Sequence, residues 1–351
     1  MSKQALSHIE TLAQPMCEQA NHVIKNVLLM SNVSHQRLHV AQRALYQHGR
    51  IAFHFHPDRV DSRGLNVTQG LLKDGAYKSQ FETHTSNGHL SPELGGSRDH
   101  WENQLFGGVY AGVKHRPKYG ALDLGLNPIG PAPRFGSCYF VSSPKLLHRA
   151  TFSYLDSYRL PKEKATINSF EVIMAALLSE AFERQSAIGV HPFKPEEVIA
   201  HFEQLSNDLD LRFSRQASAN LDHYIEAQVH GDISLDTDID LLVADPHFKE
   251  TPIASLLNQI AQQYRIRLCY HSGYQMLASE VPNNFRGASM PSLAQKLACN
   301  GKVTPLQLGQ AAQALVSQTS SWSERGAHEK SLQQLKLLWH VLVKYGVKNT
   351  A

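Results

Sequence analysis

The chain has 351 residues, 42 % of them hydrophobic, and a formal net charge of +3 from 34 basic and 31 acidic side chains. That length supports a large core and more than one folding unit, and the composition excludes a disordered chain. Lys and Arg are scattered, which argues against a dedicated nucleic-acid binder, and no apolar run approaches the ~18 residues of a membrane span.

The first residues, "MSKQALSHIETLAQPMCEQ", lack the apolar core and small-residue cleavage site of a signal peptide. Apolar spacing predicts helices over 5–30 and 35–49, the second, "HQRLHVAQRALYQHG", stopping at Gly49. From 51 to 142 the chain turns rich in Gly, Pro, Ser and Asn, with short runs that read as strands at 51–55, 106–113, 119–124 and 137–142. The stretch 83–100, "THTSNGHLSPELGGSRDH", is longer than an ordinary connection, and such loops tend to carry function. Helices are predicted at 167–185 and 195–206, strands at 209–213, 223–231, 239–244 and 266–271, and a helix at 252–264 between the last two strands. The remainder reads as helical at 291–299, 304–318 and 328–345. Cys17, Cys138, Cys269 and Cys299 are far apart and form no CxxC pair, so neither a disulfide scaffold nor a structural zinc cluster is expected.

Three regions follow: a helical N-terminal segment (1–50), a β-rich unit (51–285) with a helical insertion near 160–210, and a helical C-terminal region (286–351). Regular βαβα alternation is missing, so the class is α+β rather than a TIM barrel or doubly wound sheet.

Four stretches can carry chemistry. In "FHFHPDR" (53–59), strand alternation sets His54 and His56 on one face. With His271 they form a candidate metal set for an amidohydrolase-type hydrolase, which zinc or iron would suit. Equally, Pro57 ends a strand and Asp58–Arg59 form a local ion pair. In "RFGSCYFVSS" (134–143), Phe135, Gly136 and Ser137 lead into an aromatic strand carrying Tyr139, and Ser143–Pro144 fits a helix start. Tyr139 is either a core residue or a platform for a flat heterocycle. In "YIEAQVHG" (224–231), Tyr224, Glu226, Gln228 and His230 share a polar face opposite Ile225, Ala227 and Val229. The glycine-rich loops "LGGSRDHW" (94–101) and "KYGALDLG" (118–125) place Arg98 and Tyr119 near turns that could hold a phosphate, yet neither matches a P-loop or a Rossmann fingerprint.

The ordered set resembles the ADP-ribosyltransferase superfamily. "FGSCYFVSSPK" is similar to the corresponding segment of its poly(ADP-ribose) polymerase branch, and "YIEAQVHG" to the strand that carries the transferase glutamate. "FHFHPDR", "TSNGHLSPELGGSRDHWENQLFGGVY", "KYGALDL", "RFGSCYF" and "YIEAQVHGDISL", spanning roughly 40–280, most resemble the CteC-like family, bacterial effectors that ADP-ribosylate a threonine of ubiquitin. The resemblance implies a split β-sheet core with flanking helices, NAD as co-substrate, and no metal. It implies Glu226 and Asp58 as the catalytic pair, with His56 competing for the Asp58 role. Tyr139 would stack on nicotinamide, and Phe135, Gly136, Ser137, His56, Arg59, Arg98 and Tyr119 would line the NAD pocket. It further implies secretion without a cleavable signal peptide and delivery to a host cytoplasm, with no nucleic-acid or membrane partner. Pro57 stands where the polymerase pattern has glycine, and Tyr224 where arginine-specific members carry Glu or Gln, so neither polymer formation nor arginine modification is expected. A non-catalytic binding module on the same fold is the further alternative. Loop 83–100, segment 160–210 and the C-terminal helices are candidate surfaces for a protein target, which needs roughly 1,200–2,000 Å².

Overall fold

The computed structural model describes residues 2–84, 92–317, 322 and 328–347. Helix α1 (Ser2–Met30) and helix α2 (His35–His48) precede strand β1 (Ile51–Phe55). After helices α3 (Val67–Asp74), α4 (Gln80–Thr83) and α5 (Ser97–Leu105) come β2 (Lys118–Leu122), β3 (Cys138–Ser142), β4 (Ala150–Tyr154) and β5 (Lys164–Thr166). Helices α6 (Glu171–Arg184) and α7 (Pro195–Glu203) lead to β6 (Ile225–Val229), α8 (Leu235–Asp238), β7 (Ile239–Ala244), α9 (Pro252–Gln263) and β8 (Arg267–Tyr270). The short strands β9 (Met276–Leu277) and β10 (Lys302–Val303) accompany α10 (Met290–Leu297), α11 (Pro305–Ser317) and α12 (His328–Tyr345).

Strands β1 to β8 form one mixed sheet in the order β5-β4-β6-β2-β1-β3-β7-β8. Every neighbouring pair is antiparallel except β7 and β8, whose parallel pairing uses α9 as the crossover. Ile51, Phe53 and Phe55 of β1 point into the main core, where they meet residues of α1, α2 and α6 such as Ile24, Leu45 and Leu177. Ala52 and His54 point the other way. The N-terminal helices and α6 therefore belong to the same core as the sheet.

A second core joins Tyr274, Met276, Met290, Leu293, Leu308, Leu335, Trp339 and Leu342. The C-terminal unit thus recruits residues ahead of the expected start at 286. Among the described residues no helix is long and apolar enough to cross a membrane.

Several local expectations are corrected. Residues 106–113 form successive turns, not a strand, with Gly107, Gly108 and Gly112 at positive φ. Residues 209–213 fall in a 3-10 helix (Leu209–Ser214) started by Asp208, whose side chain accepts the Asp210 amide. Strands β4 and β5 were not anticipated. The supposed loop 83–100 contains the first turn of α5, and the rest of that expectation lies partly in 85–91, outside the described residues.

Candidate active site

The register fixes which side chains share the sheet's second face. Ala52 pairs with Ala121, and Ala121 pairs with Glu226. On the other side His54 pairs with Tyr139. Glu226 and Tyr139 therefore project from the same face, with β2 and β1 between their strands.

Glu226 is buried at the start of β6. Its Oε1 accepts from Ser157 Oγ and, at 2.9 Å, from Gln228 Nε2. Gln228 is held in turn by Thr151, which also meets His230 Nε2 at 3.1 Å, and His230 Nδ1 meets Tyr110 Oη at 2.7 Å. Two residues before Glu226 on the same face, Tyr224 Oη donates to Asp156 Oδ2 at 3.2 Å. Burial first, and then the Asp156 carboxylate, push the Glu226 acid up to about 7 against the pull of Ser157 and Gln228. The structure thus sets Asp156, not Asp58, against Glu226. Asp156 and Ser157 sit on the turn after β4, the strand that the sequence did not reveal.

Asp58 lies beyond the end of β1 and faces the C-terminal unit. It is buried, its Oδ2 has no hydrogen-bond partner among the described residues, and it packs against Gly309 of α11 so closely that a Cβ there would overlap the carboxylate. Its carbonyl accepts from Gln313 Nε2 at 3.1 Å. Burial raises its acid to about 6, with Arg59 pulling the other way. His56 meets Trp339 of α12 edge-on at 5.1 Å, and burial followed by Arg59 holds its imidazole well below the usual range. Arg59 is half-buried, and its Nε has no hydrogen-bond partner among the described residues.

Tyr139 does not present a stacking surface. Its ring is fully buried, with His54 stacked on it at 5.0 Å, and its hydroxyl donates to the Pro128 carbonyl at 2.8 Å. The chain between β2 and β3 folds across this face, so the strand-core alternative describes Tyr139. His54 Nδ1 meets the Gly136 carbonyl at 3.0 Å, and its Nε2 faces the Ala132 amide at 3.3 Å. His271 Nε2 meets the Ser137 carbonyl at 2.8 Å, and its Nδ1 accepts from the Gly273 amide. Two of the three imidazoles of the hydrolase alternative, His54 and His271, are thus engaged with backbone groups, while His56 packs on Trp339. Among the described residues no three His, Cys, Asp or Glu side chains gather as a metal would need.

Gly136 is a glycine because a Cβ would lie 2.2 Å from the Phe55 backbone. Ser137 is buried behind it. On this side Phe135, 41 % exposed, meets the ring of Tyr224 edge-on at 5.6 Å. Arg134, just before it, pairs with Asp222 and lies 4.0 Å from Asp156. Trp339 Nε1 donates to the Pro133 and Arg134 carbonyls at 3.0 and 3.1 Å. The loop 133–136 is therefore the physical link between the Glu226 side and the His56–Asp58 side.

Arg98 belongs to the Glu226 side by way of aromatic contacts. Its guanidinium lies over Tyr119 and Trp101 at 5.1 and 5.6 Å, and Trp101 Nε1 donates to the Ser157 carbonyl. Arg98 is already occupied, however, by Gln80 Oε1 at 2.8 Å and Glu102 at 3.3 Å. Asp99 caps α5 through the Gly95 amide and pairs with Arg116, not with Arg98.

The Glu226 side thus gathers a buried carboxylate, the Ser157 hydroxyl and the Gln228 amide, with Asp156 and Tyr224 beside them. A family model described as a protein of unknown function, DUF3626, matches residues 50–345, and the chain belongs to that family. No curated protein matches the chain significantly.

Proposed function

We propose that the protein is a mono-ADP-ribosyltransferase that uses NAD and modifies a hydroxyl side chain of a protein target. The observation that carries this reading is the setting of Glu226: a buried carboxylate at the start of β6, positioned by Ser157 and Gln228 and set against Asp156. The mixed sheet with flanking helices and the order of the motif-bearing strands support the ADP-ribosyltransferase fold implied by the sequence resemblance.

In this reading the C1′–nitrogen bond of NAD breaks and neutral nicotinamide leaves with the electron pair. Ionised Glu226 holds the 2′-hydroxyl and stabilises the oxocarbenium-like ribose, where fixed negative charge acts on developing positive charge. The acceptor oxygen bonds to C1′, and its proton passes to a carboxylate. Asp58 is the group the resemblance implies for that proton, at ~10²–10⁴-fold if it is a true general base, and Asp156 is the carboxylate found beside Glu226. D58N and D156N variants separate them: the residue that acts as base loses kcat more than it raises KM. Phe135 is the exposed aromatic available to flank the leaving nicotinamide, while Tyr139 and His54 brace the strands beneath. Gly136 and Ser137 shape the loop, and His56, Arg59, Arg98 and Tyr119 form outer walls.

The resemblance supplies the acceptor, a threonine of ubiquitin whose modification blocks host ubiquitination, and with it delivery of the protein to a host cell as a secreted effector. The burial of Asp58 under α11 favours one competing reading, a non-catalytic module that docks a partner. Incubation with tagged NAD and ubiquitin tests both: labelling that disappears in E226A supports the transferase, and binding of ubiquitin without any consumption of NAD supports the module.

A further inference from the structure

Four cationic or imidazole side chains from three separate elements meet between the sheet and the C-terminal unit. Arg134 comes from the loop before β3, Arg286 from the segment before α10, and Lys336 and His340 from one face of α12, a turn apart. Arg134 and Arg286 share the carboxylate of Asp222, the second at 3.6 Å, and Asp156, 4.0 Å from Arg134, is the other acid that faces the cluster and also acts on Lys336. Lys336 has no ion-pair partner among the described residues. Trp339, between Lys336 and His340, fastens α12 to the Pro133 and Arg134 carbonyls and so fixes this face against the loop. Within the cluster, four buried nitrogens have no hydrogen-bond partner among the described residues: Arg134 Nε, Arg286 Nε and both ring nitrogens of His340, a side chain that is 2 % exposed. Buried donors left unmade are destabilising, and so is the gathering of like charge, unless an anion enters. Burial, then the charges of Arg134, Arg286 and Lys336, hold His340 down to about 3, so at neutral pH its ring is uncharged and offers one donor.

We propose that Arg134, Arg286, Lys336 and His340 form a lane that receives the diphosphate of the dinucleotide, so that the C-terminal helical unit supplies part of the co-substrate site. The inference rests on the transferase reading for the identity of the ligand, but the lane itself rests on the cluster. Its position fits: Arg134 lies 4.0 Å from Asp156, which accepts from Tyr224 on the same strand face as Glu226. A diphosphate is one ribose away from the bond that breaks, so its seat belongs beside the glutamate rather than on it. At the other end His340 neighbours His56, and Arg59, which also acts on His56, continues the lane. The side chains of Arg134 and Arg286 are 18 % and 27 % exposed, which leaves them reachable from solvent. Guanidinium groups suit the paired oxygens of a phosphate.

The test is calorimetric titration of the full chain with inorganic diphosphate and, separately, with ADP-ribose, alongside the KM for NAD. We expect the wild type to bind both probes. R286A, K336Q and H340Q should each weaken both by at least about tenfold and raise the KM for NAD with kcat largely kept. Lys336 is half-buried, so K336Q keeps the result decisive if H340Q fails to fold. A wild type that binds neither probe, or folded R286A and K336Q variants with unchanged affinities, overturns the lane. Diphosphate binding that depends on these residues without any turnover of NAD leaves the lane standing and removes the transferase reading. Turnover with an unaltered KM does the reverse.

Discussion

Glu226 is a buried carboxyl whose ionisation the fold opposes. Its carboxyl is pushed up to about 7 from an ordinary 4.5 by burial and by Asp156. Between those two values the folded protein holds a proton that the unfolded chain has released. The stability contributed by the neutral acid is therefore complete below about pH 4.5 and is lost as pH rises through about 7. E226Q removes that dependence, so thermal melts of wild type and variant should diverge with rising pH, the variant becoming relatively more stable. Equal slopes would mean that the carboxyl is not buried as described. Catalysis has the opposite sign, since only the ionised carboxylate stabilises a ribosyl cation: transferase activity should rise with pH through about 7. Tyr139 provides a contrast. Its ring is packed on His54 and its hydroxyl is bonded to Pro128. Y139A should cost about 3–5 kcal/mol of stability, as expected for a buried aromatic, whereas Y139F should retain most activity. A large loss of kcat in a stably folded Y139F would instead assign the hydroxyl a direct role.

At the scale of elements, two close approaches hold the site together. Gly136 lets the loop before β3 lie against the Phe55 backbone, and G136A should destabilise by at least about 1–3 kcal/mol because backbone cannot yield as a side chain can. Gly309 lets α11 lie on the Asp58 carboxylate. G309A must push Asp58 or the helix aside, which urea melts and hydrogen exchange over 305–317 would show as loosening of α11. Unchanged protection there would mean that the helix does not depend on this contact. Much of this level was legible in the sequence. The alternation of "YIEAQVHG" placed Glu226 on the polar face of a buried strand, and apolar spacing gave α2, α9 and α12 nearly to the residue. What stayed hidden was relational. Strand β4 is only five residues long and follows the 3-10 helix Pro144–Arg149, so its Thr-Phe-Ser-Tyr alternation was too short to separate from the preceding turn. With β4 went Asp156 and Ser157, the partners of Glu226. Tyr139 has a sequence context that fits either a platform or a core ring. Only the path of the chain from β2 to β3, which covers it, distinguishes the two.

Across the whole molecule, two cores meet at Trp339. Its indole bonds the loop before β3 while its ring lies edge-on to His56 and Tyr274. W339A should therefore cost about 3–5 kcal/mol and also raise the KM for NAD, because the lane and the β1 end both lean on it. A purely local destabilisation would lower stability and leave KM in place. The C-terminal unit covers Asp58 and fastens to the loop 133–136, and the family match runs across both cores, from 50 to 345.

The central claim is that Glu226 drives transfer of ADP-ribose from NAD to a protein hydroxyl. Its most direct test is the intact mass of ubiquitin after incubation with NAD and either wild-type protein or a folded E226Q variant. The account predicts the gain of one ADP-ribose unit on a threonine with the wild type and none with E226Q. No gain with the wild type, or the same gain with E226Q, would contradict it.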